Sequence, residues 1–295
     1  MNDVDGASRL SIPDNLVLDL MPLLRRYGAG KYGIAVGGSR AKGIGDEHSD
    51  IDVYLFAEDA LPASERNAWT EQILGRAAQV VSWERSDVFV EGGTDFWYQG
   101  NKVETWLRNV RSVEATLSAC LAGQIRRECV TWTVMGFYNY VVLSDIHVMH
   151  IVEDSDGILA RWKSQIAEYP PALRQAITTQ YLQEAKFWPE NFHYRSAVER
   201  ADVIYTAGIV QQVLYALIQV VFAFNKVYFP GEKMLAATLA KLKMKPPAFG
   251  QRVQELMYPG QKPSVEQLRA QRAALSVLVD EVERLIAAGD PGILA

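Results

Sequence analysis

The run GGSRAKGIGDEHSDID, residues 37–52, gathers residue types that handle phosphate and divalent cations. Gly37 and Gly38 let a backbone turn sharply or come close to a ligand. Ser39 adds a hydroxyl and an amide at the predicted start of a short helix, where unpaired N–H groups favour phosphate. Arg40 could add charge there, or brace the loop through a carboxylate. Asp50 and Asp52 fall on one face of a strand, IDVYLF, although aspartate is depleted in strands. Two carboxylates that repel each other in that position make sense with a divalent cation between them. Magnesium, which prefers carboxylate and phosphate oxygens, suits the pair. Taken alone, Gly-Gly-Ser is equally an ordinary strand–turn–helix connection, and Asp-Ile-Asp a solvated strand face. The run has neither the Gly-Lys-[Ser/Thr] ending of a Walker loop nor a dinucleotide fingerprint.

The elements that must position these residues can be read from periodicity. Residues 13–27 carry apolar positions at helical spacing, with Pro22 inside and Gly28 and Gly30 as stops. KYGIAVGG reads as a short buried strand and SDIDVYLFAED as a second. In the second, Ile51, Val53 and Leu55 share one face, while Asp50, Asp52 and Tyr54 share the other. Residues 65–79 read as a helix, and QVVSWERSDVFVEGGTDFWYQGNKVETWLRNV as β structure with two glycine turns. Beyond residue 112 glycine becomes sparse and the period approaches 3.6. Helices are expected over 112–127, 131–143, 155–167, 171–187, 194–228, 231–242, 247–257 and 264–288, with Pro170–Pro171, Pro189 and Pro246–Pro247 between them. The chain therefore divides into an α/β domain, 1–111, and a helical domain, 112–295.

A length of 295 residues, about half of them apolar, allows one large domain or two ordinary ones. A net charge of −5 disfavours a general nucleic-acid coat and is compatible with a cationic small substrate. Cys120 and Cys129 form neither a zinc pattern nor a disulfide framework, and reduced thiols in a cytoplasmic protein are expected. The N-terminus lacks the basic flank and apolar centre of a signal peptide. Val203 to Phe224 is apolar but interrupted by Gln211, Gln212 and Gln219, so a buried helix is expected and no membrane partner.

GGSRAKG followed by SDIDVYLF resembles the signature of the DNA polymerase β-like nucleotidyltransferase superfamily: Gly-[Gly/Ser]-Ser, a spacer, then Asp-x-Asp on the next strand. The resemblance covers about residues 30–108. The helical remainder resembles the C-terminal domains of the antibiotic-modifying branch and of uncharacterised bacterial relatives. It implies an α+β chain: a small mixed sheet flanked by helices, with the site on one edge, then an all-α helical-bundle domain. It also implies transfer of a nucleoside monophosphate from an NTP, ATP first, to an acceptor hydroxyl with two Mg²⁺ ions and release of pyrophosphate. Gly37, Gly38, Ser39 and Arg40 would hold the triphosphate, and Asp50 and Asp52 the metal. Glu104, in KVETWL, would be the third carboxylate, as metal ligand or as general base; Asp87 and Asp95 are the alternatives. Lys233, in YFPGEKML, resembles a lysine that reaches the triphosphate, and reads equally as a surface lysine in the first turn of a helix.

Other polar residues have plainer readings. Arg200 and Asp202 are expected inside a long apolar helix as a buried polar pair or as cleft residues, and Asn225, Lys226 and Tyr228 at its end as caps or cleft residues. His48 reads as a loop histidine. His147 and His150, near Asp145, Glu153, Asp154 and Asp156, read as an acidic solvated loop in preference to a metal site. Trp83, Trp97, Tyr98 and Trp106 could stack on a base or pack inside. The acceptor is expected to be a small hydroxylated molecule, aminoglycoside- or lincosamide-like. An RNA or protein acceptor would need a basic path, for which Arg108, Arg111, Arg126 and Arg127 are available. A non-catalytic nucleotide binder is the third reading.

Overall fold

A computed structural model describes residues 14–43, 45, 49–85, 90–258, 263–290 and 292. The chain opens with α1 (Asp14–Leu24), β1 (Gly28–Val36), the single turn α2 (Gly38–Ala41) and β2 (Ile51–Ala60). α3 (Ala63–Leu74), β3 (Val81–Glu84), β4 (Gly92–Tyr98), β5 (Asn101–Asn109) and α4 (Val110–Leu121) follow. Next come β6 (Arg127–Glu128), β7 (Phe137–Tyr138), α5 (Val141–Val148), β8 (His150–Glu153) and α6 (Ile158–Gln165). The remainder is helical: α7 (Pro171–Phe187), α8 (Phe192–Glu199), α9 (Val203–Phe224), α10 (Leu235–Lys241), α11 (Phe249–Met257) and α12 (Val265–Gly289).

Two compact units result: residues 1–118 with 142–168, and 119–141 with 169–295. This division differs from a single cut at 111/112. The cause is β8, which pairs antiparallel with β1, so α5, β8 and α6 belong with the sheet that precedes them.

In the first unit the described strands form one mixed sheet in the order β3-β4-β5-β2-β1-β8; β2 and β5 run parallel and the other pairs antiparallel. One face carries Ile51, Val53 and Leu55 into a core with Leu16, Leu20, Leu24 and Tyr27. Phe56, on the opposite face, meets Trp162 of α6 edge-on at 5.3 Å, so this face is covered as well. Gly28 and Gly30 do not separate α1 from the strand. They lie inside β1 at a register shift, with Gly30 at φ +74°. Gly92 and Gly93 are likewise strand residues. A Cβ on Gly93 would sit 2.3 Å from the Thr105 carbonyl oxygen and 2.5 Å from the Trp83 ring, so glycine serves close approach there. The turn of that hairpin is Gln99–Gly100, both at positive φ, as a two-residue hairpin requires.

Among its described residues, the regular structure of the second unit is helical apart from the β6–β7 ribbon. That ribbon replaces the helix expected over 131–143. Thr131, Thr133 and Val134 are weak helix formers, Gly136 adopts φ +87°, and the Glu232 carboxylate accepts from the amides of Val134 (2.8 Å) and Met135. α7, α8, α11 and α12 pack on α9. By length and composition α9 is the described helix apolar enough to cross a bilayer, yet 72 % of that window is buried inside the protein.

The helix expected over 194–228 is broken. Ala201 takes φ +51°, and exposed Asp202 caps α9 by accepting from the Tyr205 amide at 3.1 Å. Arg200 and Asp202 are therefore not a buried pair. Asp202→Ala should lower the unfolding free energy by about 1 kcal/mol, the usual worth of such a cap, read as a lower urea midpoint at unchanged slope. Asn225 closes the other end, its amide donating to the Val221 and Met244 carbonyls while its oxygen accepts from the Lys243 and Met244 amides.

Candidate active site

The candidate residues of the first unit meet at one end of the central strands, not on a lateral edge of the sheet. β1 delivers Gly37 and Gly38 next to the start of β2. The Gly37 amide donates to the Asp52 carbonyl at 2.9 Å, and the Gly38 amide to the Tyr54 hydroxyl at 3.1 Å. Gly37 lies against the Tyr54 ring, where an added Cβ would fall 2.0 Å from the nearest ring carbon. Gly38 has φ +64°, and an added Cβ would lie 1.6 Å from Asp52 Oδ2. Both glycines are thus required by close approach. The loop and the carboxylate occupy one place.

With the Gly38 amide engaged by Tyr54, Ser39 supplies the loop's open group. Its Oγ is buried and has no hydrogen-bond partner among the described residues. Arg40 braces the loop through backbone carbonyls rather than through a carboxylate. Its Nε donates to Asp50 O at 3.1 Å and its Nη2 to Ser49 O at 2.6 Å.

Strand register sets the carboxylates in a row. Asp52 on β2 stands beside Glu104 on β5, and Glu104 stands opposite Asp95 on β4. Asp52 Oδ1 accepts from Trp106 Nε1 at 3.2 Å, and Trp106 meets Trp83 edge-on at 5.7 Å. Lys102 forms an ion pair with Glu104. Among the described residues, no three His, Cys, Asp or Glu side chains are grouped so as to hold a metal ion. The neighbouring donors Asp50, Asp52 and Ser39 Oγ are all hard oxygens, the type magnesium takes together with phosphate oxygens.

Burial pushes the Asp52 carboxyl up to about 6, helped by the charges of Asp50 and Glu104 and opposed by the Trp106 N–H. Burial and Glu104 push Asp95 up to about 6 as well. Both groups hold a proton more tightly folded than unfolded, where an aspartate titrates near 3.8. Their contribution to stability is therefore greatest at acid pH and is lost as pH rises from about 4 through about 6. Without added cation, Asp52→Asn should flatten part of that decline when melting temperature is followed from pH 4.5 to pH 7, values about that window.

Beneath the loop lies a buried array that sequence reasoning passed over. Arg108 Nη2 donates to Asp145 Oδ2 at 2.8 Å, and Lys42 Nζ lies 3.5 Å from Asp145 Oδ1. The Arg108 guanidinium sits over the Tyr54 ring, 4.8 Å from its centroid. Exposure is 6 % for Arg108 and 5 % for Asp145, so Arg108 does not belong to a surface basic path. Alternation along β2 and β5 was the available signal for Tyr54 and Arg108, which share the faces of Asp52 and Glu104. Asp145, 37 residues beyond Arg108 and on a helix, gave none.

The remaining candidates are placed as follows. His48 and Asp87 lie outside the described residues. Lys233 is an exposed turn residue of the second unit. In that same unit Arg126 pairs with Glu128, and Arg127 lies over the Tyr138 ring. Of the acidic residues near His147 and His150, Asp145 pairs with Arg108, Glu153 with Arg25, and Asp154 accepts from the Ala160 amide at 2.8 Å. Tyr98 packs against the core, whereas Trp97 stays 47 % exposed.

Comparison with known proteins adds the following. A family model described as a domain of unknown function (DUF4037) matches residues 141–235, from α5 with Asp145 to the start of α10. The fold is similar to the crystal structure of a nucleotidyltransferase-like protein from Exiguobacterium sibiricum 255-15. That likeness is at 9 % identity, covers 94 % of this chain and 77 % of the other, and has a TM-score of 0.46. No curated protein matches.

Proposed function

We propose that this protein is a magnesium-dependent nucleotidyltransferase that moves a nucleoside monophosphate from an NTP to a hydroxyl of a small molecule. The observation that carries the reading is the packing of Gly38 onto Asp52, with the unpartnered Ser39 hydroxyl beside it. A phosphate on the loop would lie next to a carboxylate it repels, and a divalent cation resolves that conflict.

Asp50 and Asp52 would hold the metal ions; Glu104, paired here with Lys102, would be the third ligand or the general base. Bound magnesium would neutralise charge building on the triphosphate and on the leaving pyrophosphate. Ser39 and the adjoining backbone would orient the triphosphate. The acceptor oxygen forms a bond to the α-phosphorus, the bond from that phosphorus to the bridging oxygen breaks, and pyrophosphate leaves with the electron pair. The acceptor proton passes to a carboxylate, for which Glu104 is the candidate, an effect worth roughly 10² to 10⁴-fold.

A small acceptor is preferred over RNA or protein. The row Asp52, Glu104, Asp95 suits a molecule carrying positive charge, such as an aminoglycoside- or lincosamide-like compound, and burial removes Arg108 from any basic path. The test is incubation with ATP, GTP, CTP and UTP labelled at the α-phosphate against aminoglycosides, lincosamides, tRNA and the protein itself. Label on a small molecule is the expected result. Label on tRNA or protein would redirect the acceptor assignment, and binding without transfer would make the protein a non-catalytic nucleotide binder.

A further inference from the structure

Asp145 stands outside the chemistry just described, yet it closes a circuit around the loop. From Asp145 one path runs to Lys42, the residue that ends α2. The other runs to Arg108, whose guanidinium covers the Tyr54 ring, and the Tyr54 hydroxyl accepts from the Gly38 amide at the start of α2. Both ends of a four-residue turn are thus tied to one buried carboxylate. Within the turn the Ala41 and Lys42 amides donate to the Gly37 and Gly38 carbonyls, at 3.3 and 3.2 Å. A helix this short has little cooperativity of its own, so what surrounds it must fix it.

We infer that Asp145 is a positioning residue for nucleotide binding: through Lys42 on one side and Arg108 with Tyr54 on the other, it fixes the Gly37–Lys42 loop in its phosphate-receiving shape. The inference rests on the nucleotide reading above. It assigns a role to a helix of the segment matched by the domain of unknown function.

The experiment measures Mg·ATP affinity by calorimetry at 10 °C, a temperature well below unfolding (roughly 45–65 °C for an ordinary domain), together with amide hydrogen exchange without nucleotide. Asp145→Asn is expected to weaken binding about tenfold, as misplacement of a binding loop does, and to speed exchange at Ala41 and Lys42 but not in the sheet. Tyr54→Phe and Lys42→Met leave the Arg108–Asp145 pair intact and should each weaken binding about threefold, the scale of one hydrogen bond or ion pair. Because they act on one loop, their effects should not add in the double variant. These two variants carry the test if Asp145→Asn does not fold.

A lower melting temperature with affinity and loop exchange unchanged would make the array merely structural and overturn the inference, leaving the proposed function in place. Absence of Mg-dependent binding of any NTP to the wild type would instead overturn the proposed function, and the inference with it.

Discussion

Asp52→Asn is expected to abolish Mg-dependent pyrophosphate release, by about 10³-fold or more, while raising the melting temperature at pH 7. The two effects come from one cause. In the folded protein the Asp52 carboxyl is half-buried, lies near Asp50 and Glu104, and has no cationic partner in contact among the described residues. Ionising it, as happens by neutral pH, thus costs the fold stability at a site where a cation would relieve the cost. Asparagine removes the charge while keeping the shape and an oxygen for the Trp106 N–H. The fold then gains what ionisation took away, and the metal loses a ligand. At pH 4.5, where the wild-type carboxyl already holds its proton, the stabilisation should shrink (a window set by a value about 6). A variant that loses activity and stability together would point instead to a structural Asp52.

The second large effect is expected for Gly38→Ala. A left-handed backbone costs an alanine about 1–2 kcal/mol by itself. Here the methyl would also lie 1.6 Å from Asp52 Oδ2 and 2.3 Å from its Cγ, so the carboxylate must turn away and give up Trp106. Activity should fall by about 10²-fold or more, since displacing a catalytic group by an ångström has that scale. Gly43→Ala is the control. Gly43 has φ +66° with nothing within 4 Å of an added Cβ among the described residues, so the alanine meets backbone strain alone. A modest loss of stability with pyrophosphate release near the wild-type rate is expected. Equal loss in both variants would show that loop strain, not contact with Asp52, governs the site.

These effects locate what the sequence made legible. Alternation along IDVYLF separated the core face of β2 from the face of Asp52, because a strand's period of two is a local property. The run of small and acidic residues from Gly37 to Asp52 is likewise a local feature of the chain, and the fold brings its two ends together, Gly38 against Asp52. Register was not legible. That Glu104 stands beside Asp52 and opposite Asp95 follows from hydrogen bonding between strands up to about 50 residues apart, which no window along the chain reports. The glycines misled where their role was close approach. Gly92 and Gly93 read as a turn and are packed strand residues beneath Trp83. The helix expected over 194–228 hid a break before Val203, because Ala201 at positive φ and a capping Asp202 leave little trace in hydrophobic periodicity. Asp145 was hidden most completely. Its partners, Lys42 and Arg108, come from two other elements, and the helix that carries it returns to the sheet only because β8 pairs with β1.

The central claim is that Gly38, Ser39, Asp50 and Asp52 form a single site for a metal-bound nucleotide. Calorimetric titration of the wild-type protein and of Asp52→Asn with ATP, GTP, CTP and UTP, each with Mg²⁺ and with Mg²⁺ chelated, tests it most directly. Saturable one-to-one binding of at least one NTP is expected, weakened about tenfold or more both by chelation and by Asp52→Asn. Binding indifferent to Mg²⁺ and to Asp52, or no binding of any of the four nucleotides, would contradict it.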